Sequence, residues 1–255
     1  MGKLLGHQIR NHFKYNWFIP VLPVALIIFG LLFSNVNYSI GVNSTAIGMM
    51  ALVFGYIAAA ITVIVGDYNM FFGDSSLFYE SIPISPSAKT FSRLLYYFVM
   101  FILYSLYVGI IFFLFATIPA VGDGGVVNIT WADIMDILNQ VGSKNILIGI
   151  SWILVFLFNN IARIIFAISF GGGKKLRRFG FGGPVLSYIL LGFIESFIVY
   201  ILDRFNIFTN MELYLNNGDV FINSMGVAFI FIMIVETVLF LFGVYYIHKN
   251  RISVN

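Results

Sequence analysis

Six apolar stretches, each about as long as a bilayer is thick, occupy most of this chain. They run over residues 17–34, 45–66, 95–121, 145–170, 184–202 and 225–247. Roughly 20 apolar residues in a helix cross the hydrocarbon core. Only helices that satisfy their own backbone can do so in a chain of this kind. The expected fold is therefore all-α, a polytopic membrane protein with six transmembrane helices. Charged residues make up 10% of the sequence, against about 25% in a soluble domain. Six spans in 255 residues leave no room for a sizeable soluble domain, so 1–255 reads as a single transmembrane domain. The chain has no cysteine, which excludes a disulfide framework, a thiolate metal site and a thiol nucleophile. The first span follows a basic segment without a small-residue cleavage site and reads as a retained helix. Gly6 stands where an N-myristoylation motif wants Ser or Thr.

Charge placement orients the spans. An even number puts both termini on one side, with Lys3, Arg10, Lys14, Lys89, Arg93, Lys174, Lys175, Arg177, Arg178, Lys249 and Arg251. The other side holds Lys144 and Arg204. This asymmetry predicts cytoplasmic termini by the positive-inside rule. Asp123, Asp133, Asp136, Asp203, Glu212 and Asp219 then lie outside. The net charge of +3 thus hides a basic inner face and an acidic outer one. It does not argue for a nucleic-acid partner, since basic juxtamembrane residues face anionic lipid.

Residues 3–16 place Lys3, His7, Arg10 and Lys14 on one helical face and Leu5, Ile9 and Phe13 on the opposite one. That pattern predicts an amphipathic helix lying in the interface with its basic stripe toward headgroups. The first outer loop, 35–44, is short and uncharged. Ala51, Gly55 and Ala59 recur at i+4 in the second span. Small residues at this spacing let helices approach closely, either within one protomer or across a dimer seam. Outside, Asn128-Ile129-Thr130 forms a sequon, and 131–141 has the composition of a short interfacial helix.

The segment 67–94 carries the most information. Asp74 can cap a helix start, and Pro83 constrains Ile82 and ends the helix. A short helix over 75–82 results, with Leu77, Phe78 and Tyr79 exposed to a partner. Ser85 followed by Pro86 starts a second helix that runs through Lys89 and Arg93 into the third span. About 28 residues exceed what a connection needs. The loop 171–183, GGGKKLRRFGFGG, is a topology anchor whose flanking glycines point to a hinge or a close backbone approach.

Common enzyme chemistry is missing. There is no H-E-x-x-H, no paired intramembrane aspartate and no G-x-S-x-G. His7, His12 and His248 all lie at the inner ends. Gly173-Lys174 is followed by Lys175, and Ile168 stands where a phosphate-binding loop needs Gly. This chain is expected not to be an enzyme and to bind no metal or cofactor itself.

Three ionisable residues fall within spans. Glu195 and Glu236 lie roughly 16 Å from the inner end and Arg163 roughly 10 Å. A charge in the bilayer costs at least ~2.5–3.5 kcal/mol on insertion scales, so Arg163 is expected to pair with Glu236 or Glu195. A structural ion pair, a polar patch on a transport cavity and a proton relay are the open readings. In the third span Tyr96, Tyr97, Phe101, Tyr104, Tyr107, Phe112 and Phe115 share a broad aromatic face. It can meet lipid or other helices, or line a path for an apolar substrate through Tyr97, Phe101 and Tyr104.

Phe72-Gly73-Asp74, then Leu77-Phe78-Tyr79-Glu80-Ser81-Ile82-Pro83-Ile84-Ser85, resembles the cytoplasmic signature of ABC-transporter permease subunits of the drug, polysaccharide and peptide export superfamily. Six spans, an amphipathic basic N-terminus and cytoplasmic termini match that family along the whole chain. The chain looks most like small bacterial permeases for antimicrobial or toxin peptides, including the phenol-soluble modulin exporters. The resemblance implies a bacterial plasma-membrane protein that pairs with a second permease copy, identical or closely homologous. Each copy rests on a separate ATP-binding subunit that holds the ATP and Mg. The coupling helix would be 75–82, with Asp74, Leu77, Phe78, Tyr79, Glu80, Ile82 and Pro83 meeting the ATPase. Amphipathic or hydrophobic peptides would be the cargo. Two other classes stay open: a secondary transporter coupling ions through Glu195 and Glu236, and a membrane scaffold or self-immunity protein. Paired repeats with broken helices, common in secondary transporters, are not visible.

Overall fold

A computed structural model describes residues 2–73, 75–81, 83–117, 135–136, 139, 142–173, 176–204, 215–216, 219–220 and 224–251. The helices are α1 (Gly2–Asn16), α2 (Phe18–Phe33), α3 (Tyr38–Phe71), α4 (Ser76–Ser81), α5 (Pro86–Thr117), α6 (Ser143–Gly171), α7 (Gly182–Arg204) and α8 (Ser224–Arg251), with a 3-10 turn at Arg177–Phe179. A small antiparallel hairpin, β1 (Leu215–Asn216) with β2 (Asp219–Val220), pairs Leu215 with Val220 and Asn216 with Asp219. The architecture is otherwise all-α. Among the described residues five helices are long and apolar enough to cross a membrane, or six where the bent pair α1–α2 counts as one span. The protein is a multi-pass membrane protein. The sequon at 128–130 and most of the expected helix at 131–141 lie outside the described residues, as do Lys174 and Lys175.

The chain folds as two compact units. One comprises Gly2–Asp67 and Leu95–Ile134, the other Tyr68–Leu94 and Met135–Asn255. Helices α3 and α5 pass from one into the other.

In the first unit, α1 ends because Pro20 has no N–H for the Asn16 carbonyl. The chain bends by 47° and continues as α2. Helix α1 therefore leaves α2 obliquely rather than at a right angle. Helix α2 has 16 residues and rises only about 24 Å. The turn that follows is shorter than the sequence indicated. Asn37 Oδ1 accepts from the Ile40 N–H at 3.2 Å, so α3 begins at Tyr38 and the expected loop 35–44 shrinks to 34–37. Gly30 faces the Thr45 backbone, where a Cβ would collide, so α2 and α3 approach closely. The Ala51–Gly55–Ala59 stripe also packs within the chain. Ala59 is buried, and a Cβ at Gly55 would stand 3.7 Å from the Ile19 carbonyl oxygen.

In the second unit, α6 packs against both α7 and α8. Its buried apolar side chains include Ile161, Ala162, Ile165, Ala167 and Ile168. Trp152 stacks on Phe229 at 5.7 Å and Phe166 on Phe240 at 5.4 Å. The turn from α6 to α7 is tight. A Cβ at Gly171 would run into the backbone at Gly183 and Pro184, which accounts for glycine on both sides of the basic loop.

Candidate functional site

Helix α4 occupies the segment singled out by its Asp74 and Pro83 signals, one residue shorter at each end than expected. The Ser76 N–H bonds the Gly73 carbonyl at 3.0 Å. Asp74 and Ile82 lie outside the described residues, as does the side chain of Glu80. Pro83 is exposed. Leu77 and Phe78 are 84% and 64% exposed, but Tyr79 is only 6% exposed. Three consecutive helical residues fan over about 200°, so they cannot all face outward. Tyr79 turns inward, its ring centroid 5.9 Å from that of Phe71. Burial holds its phenol above the ordinary range.

Beneath α4 lies a fully buried Arg93. Its guanidinium stands over Phe71 at 4.9 Å and Phe72 at 5.6 Å, a geometry suited to arginine. Its Nη1 donates to Ser169 Oγ at 2.7 Å and to His248 Nε2 at 3.2 Å. Arginine has no acceptor, so Nε2 of His248 must present its lone pair. Ser169 Oγ donates onward to the Ile165 carbonyl at 2.7 Å. Phe71 meets the His248 ring at 5.8 Å, and Gly172 leaves room for the Phe72 ring. The last turn of α3, the first turns of α5 and the ends of α6 and α8 are thus pinned together. Ser85 sets the start of α5, its Oγ accepting from the Ala88 N–H at 3.3 Å. Sequence reasoning read Arg93 as an orienting charge and missed this cluster. No local signal links residue 93 to residue 248.

The intramembrane charges form a seam across α6, α7 and α8. Arg163 Nη1 lies 2.8 Å from Glu195 Oε2, and the guanidinium stands 4.5 Å over the Tyr188 ring. Tyr188, Gly192 and Glu195 share one face of α7. Gly192 leaves the space that the guanidinium fills. Glu236 instead accepts from Asn159 Nδ2 at 3.3 Å, and the same amide donates to the Met233 carbonyl at 3.1 Å. Asn159 was not foreseen, although its place one turn before Arg163 was a readable signal.

In the first unit the aromatic face of α5 packs against other helices from Tyr96 to Tyr107, whereas Phe112 is exposed and the side chain of Phe115 lies outside the described residues. Tyr97 and Tyr104 are buried and Phe101 is half-buried. The Tyr97 hydroxyl donates to Asp67 Oδ2 at 3.2 Å, and Tyr107 donates to the Pro20 carbonyl at 2.6 Å. Tyr104 Oη lies 3.1 Å from His12 Nε2, and Tyr96 Oη 3.4 Å from His12 Nδ1. Phe13 stacks on Tyr104. Helix α1 therefore docks through Leu4, Gln8 and His12, an i+4 stripe beside the Leu5–Ile9–Phe13 face that the sequence pattern emphasised. Burial pushes the His12 imidazole down to about 4.

No family model matches the chain, and no characterised protein or solved structure matches it either.

Proposed function

We propose that this chain is the membrane-spanning subunit of an ATP-driven exporter in a bacterial plasma membrane, with both termini cytoplasmic. One observation carries the reading. A short helix hangs between two membrane-long helices, with Leu77 and Phe78 presented outward on a base anchored by Tyr79 and Phe71. Such a mounted apolar pair suits the cleft of a soluble partner, because a few buried aromatics commonly dominate an interface. The partner is an ATP-binding cassette subunit, which supplies ATP and Mg. A second permease copy completes the pathway. Amphipathic or hydrophobic peptides fit as cargo for an exporter without a soluble receptor domain.

The test uses membrane vesicles carrying this subunit and its ATPase. Amphipathic helical peptides should stimulate ATP hydrolysis. Leu77→Ala with Phe78→Ala should abolish that stimulation while leaving the thermal stability of the membrane subunit unchanged. Undiminished stimulation in the double variant removes the coupling role from α4. A second reading draws on the Arg163–Glu195 pair and the neighbouring Glu236: transport coupled to an ion gradient. It requires uptake or efflux driven by a pH or sodium gradient in vesicles containing this chain alone.

A further inference from the structure

Within the seam of α6, α7 and α8 the charges do not balance. Among its described residues one guanidinium, Arg163, stands against two carboxylates, Glu195 and Glu236. Arg163 Nη1 is bonded to Glu195 Oε2. That pair is a single contact rather than a fork, and Arg163 Nε and Glu195 Oε1 are buried without a hydrogen-bond partner. Glu236 makes no ion pair among the described residues, and its carboxylate meets the neutral amide of Asn159. With both acids ionised the seam carries one negative charge in excess. At such depth an ionisable side chain is costly and marks an ion path or a proton site.

The surroundings of Glu236 are built from oxygen. Met233, Glu236 and Thr237 share one face of α8, and each turns an oxygen toward Asn159 Nδ2. The Met233 carbonyl lies at 3.1 Å, Glu236 Oε2 at 3.3 Å and Thr237 Oγ1 at 3.4 Å. An amide has two N–H groups, so it cannot serve three acceptors in full. The Met233 carbonyl, at the shortest of these distances, already accepts from Thr237 Oγ1 at 2.7 Å. Asn159 is buried, so its amide finds its partners here. A half-turn of that amide brings Oδ1 to the place of Nδ2. Four oxygens then converge, one of them charged: Asn159 Oδ1, Glu236 Oε2, Thr237 Oγ1 and the Met233 carbonyl. Glu236 and Thr237 are half-buried, which gives the cluster a way in.

We propose that Asn159, Glu236, Thr237 and the Met233 carbonyl form a binding site for one monovalent metal cation, sodium. A hard cation takes oxygen ligands, and the charge count fixes its valence. One positive charge neutralises the seam, whereas a divalent ion would leave it positive. Arg163 lies one turn beyond Asn159 on α6, and its bond to Glu195 keeps the guanidinium from serving Glu236 in the cation's stead. The site names the ion for the ion-coupled reading of this seam, and its bearing on transport rests on that reading.

The experiment is thermal unfolding of the purified full-length protein in neutral detergent, with sodium chloride replacing choline chloride at constant ionic strength. A ligand that binds only the folded chain raises its unfolding temperature. Sodium should give a saturable rise of a few degrees and choline none. Glu236→Gln and Thr237→Val should each lose that rise. Thr237→Ser, which restores the oxygen, should keep it, as should Ser151→Ala at an exposed position of α6. The serine rescue separates loss of a ligand from loss of fold, so the test stands even where Glu236→Gln fails to fold. No shift with sodium, an equal shift with choline or magnesium, or an equal sodium shift in wild type and Thr237→Val overturns the site. Stabilisation by acid with none by sodium gives Glu236 a proton instead and also overturns it. Gradient-driven transport in vesicles is a separate measurement. A sodium shift without such transport upholds the site and removes the ion-coupled reading. Transport driven by a pH gradient with no sodium shift does the reverse.

Discussion

The two units solve the same problem, polar groups among membrane helices, with different chemistry. The first joins its helices mainly through tyrosine hydroxyls: Tyr104 and Tyr96 with His12, Tyr107 with the Pro20 carbonyl, Tyr97 with Asp67. The second uses charge, with Arg93 under α4 and Arg163 against Glu195. A single hydrogen bond from a tyrosine hydroxyl is modest. A buried charge is costly unless every partner stays in place. The first unit should therefore tolerate single losses, and the second should not.

The sharpest way to break this contrast is at Arg93. Arg93→Met removes the group that joins Ser169, His248, Phe71 and Phe72. A loss of roughly 1–3 kcal/mol for each acceptor left unpaired is expected, read as reduced yield of folded protein and a lower unfolding temperature in detergent. Arg93→Lys should recover only part, because an ammonium lacks the planar fork. Wild-type stability in Arg93→Met would remove the cluster from the account.

Arg163 comes next. Arg163→Gln leaves Glu195 uncompensated. The cost should fall below that of a fully buried pair, since the two side chains keep 17% and 22% exposure. Arg163→Gln with Glu195→Gln should restore most of the loss in thermal unfolding. Arg163→Gln with Glu236→Gln should restore less, and the reverse order would reassign the pair.

His12 adds pH dependence to the first unit. Its imidazole is held neutral down to about 4 in the fold, while an unfolded chain takes up the proton near ~6.5. Between those values the unfolded state binds more protons. Stability should therefore fall as pH drops from about 6.5 toward 4 and stay flat above 7. His12→Gln should flatten the acid limb of an unfolding-temperature profile, and an unchanged limb would place the titration elsewhere.

The smallest effects belong to the tyrosines. Tyr104→Phe and Tyr107→Phe should each cost about 1 kcal/mol, with near-additive losses in the double variant measured by the same unfolding assay. A loss several times larger would erase the distinction between the units.

Much of this was legible in the sequence, and the parts that were not have physical causes. The six apolar runs, the Ser85 cap and the α4 segment follow from local patterns of hydropathy and capping. The start of α3 at Tyr38 was missed because Ser39, Gly41, Asn43 and Ser44 make 38–44 look like a loop until Asn37 caps it. The inward turn of Tyr79 depends on Phe71, which the spacing of a short helix does not specify. Arg163 faced two acids at similar depth, and the space left by Gly192 on α7 is visible only in three dimensions. The Arg93–His248 contact joins residues 155 positions apart, beyond the reach of any periodicity.

The central claim is that α4 docks on an ATPase, and crosslinking from its outer face tests it most directly. A photo-reactive amino acid at Phe78, in native membranes, should capture an ATP-binding cassette subunit. The same group at the buried Tyr79 should capture much less. Capture of no ATPase from Phe78, or equal capture from both positions, would contradict the assignment of α4 as the coupling helix.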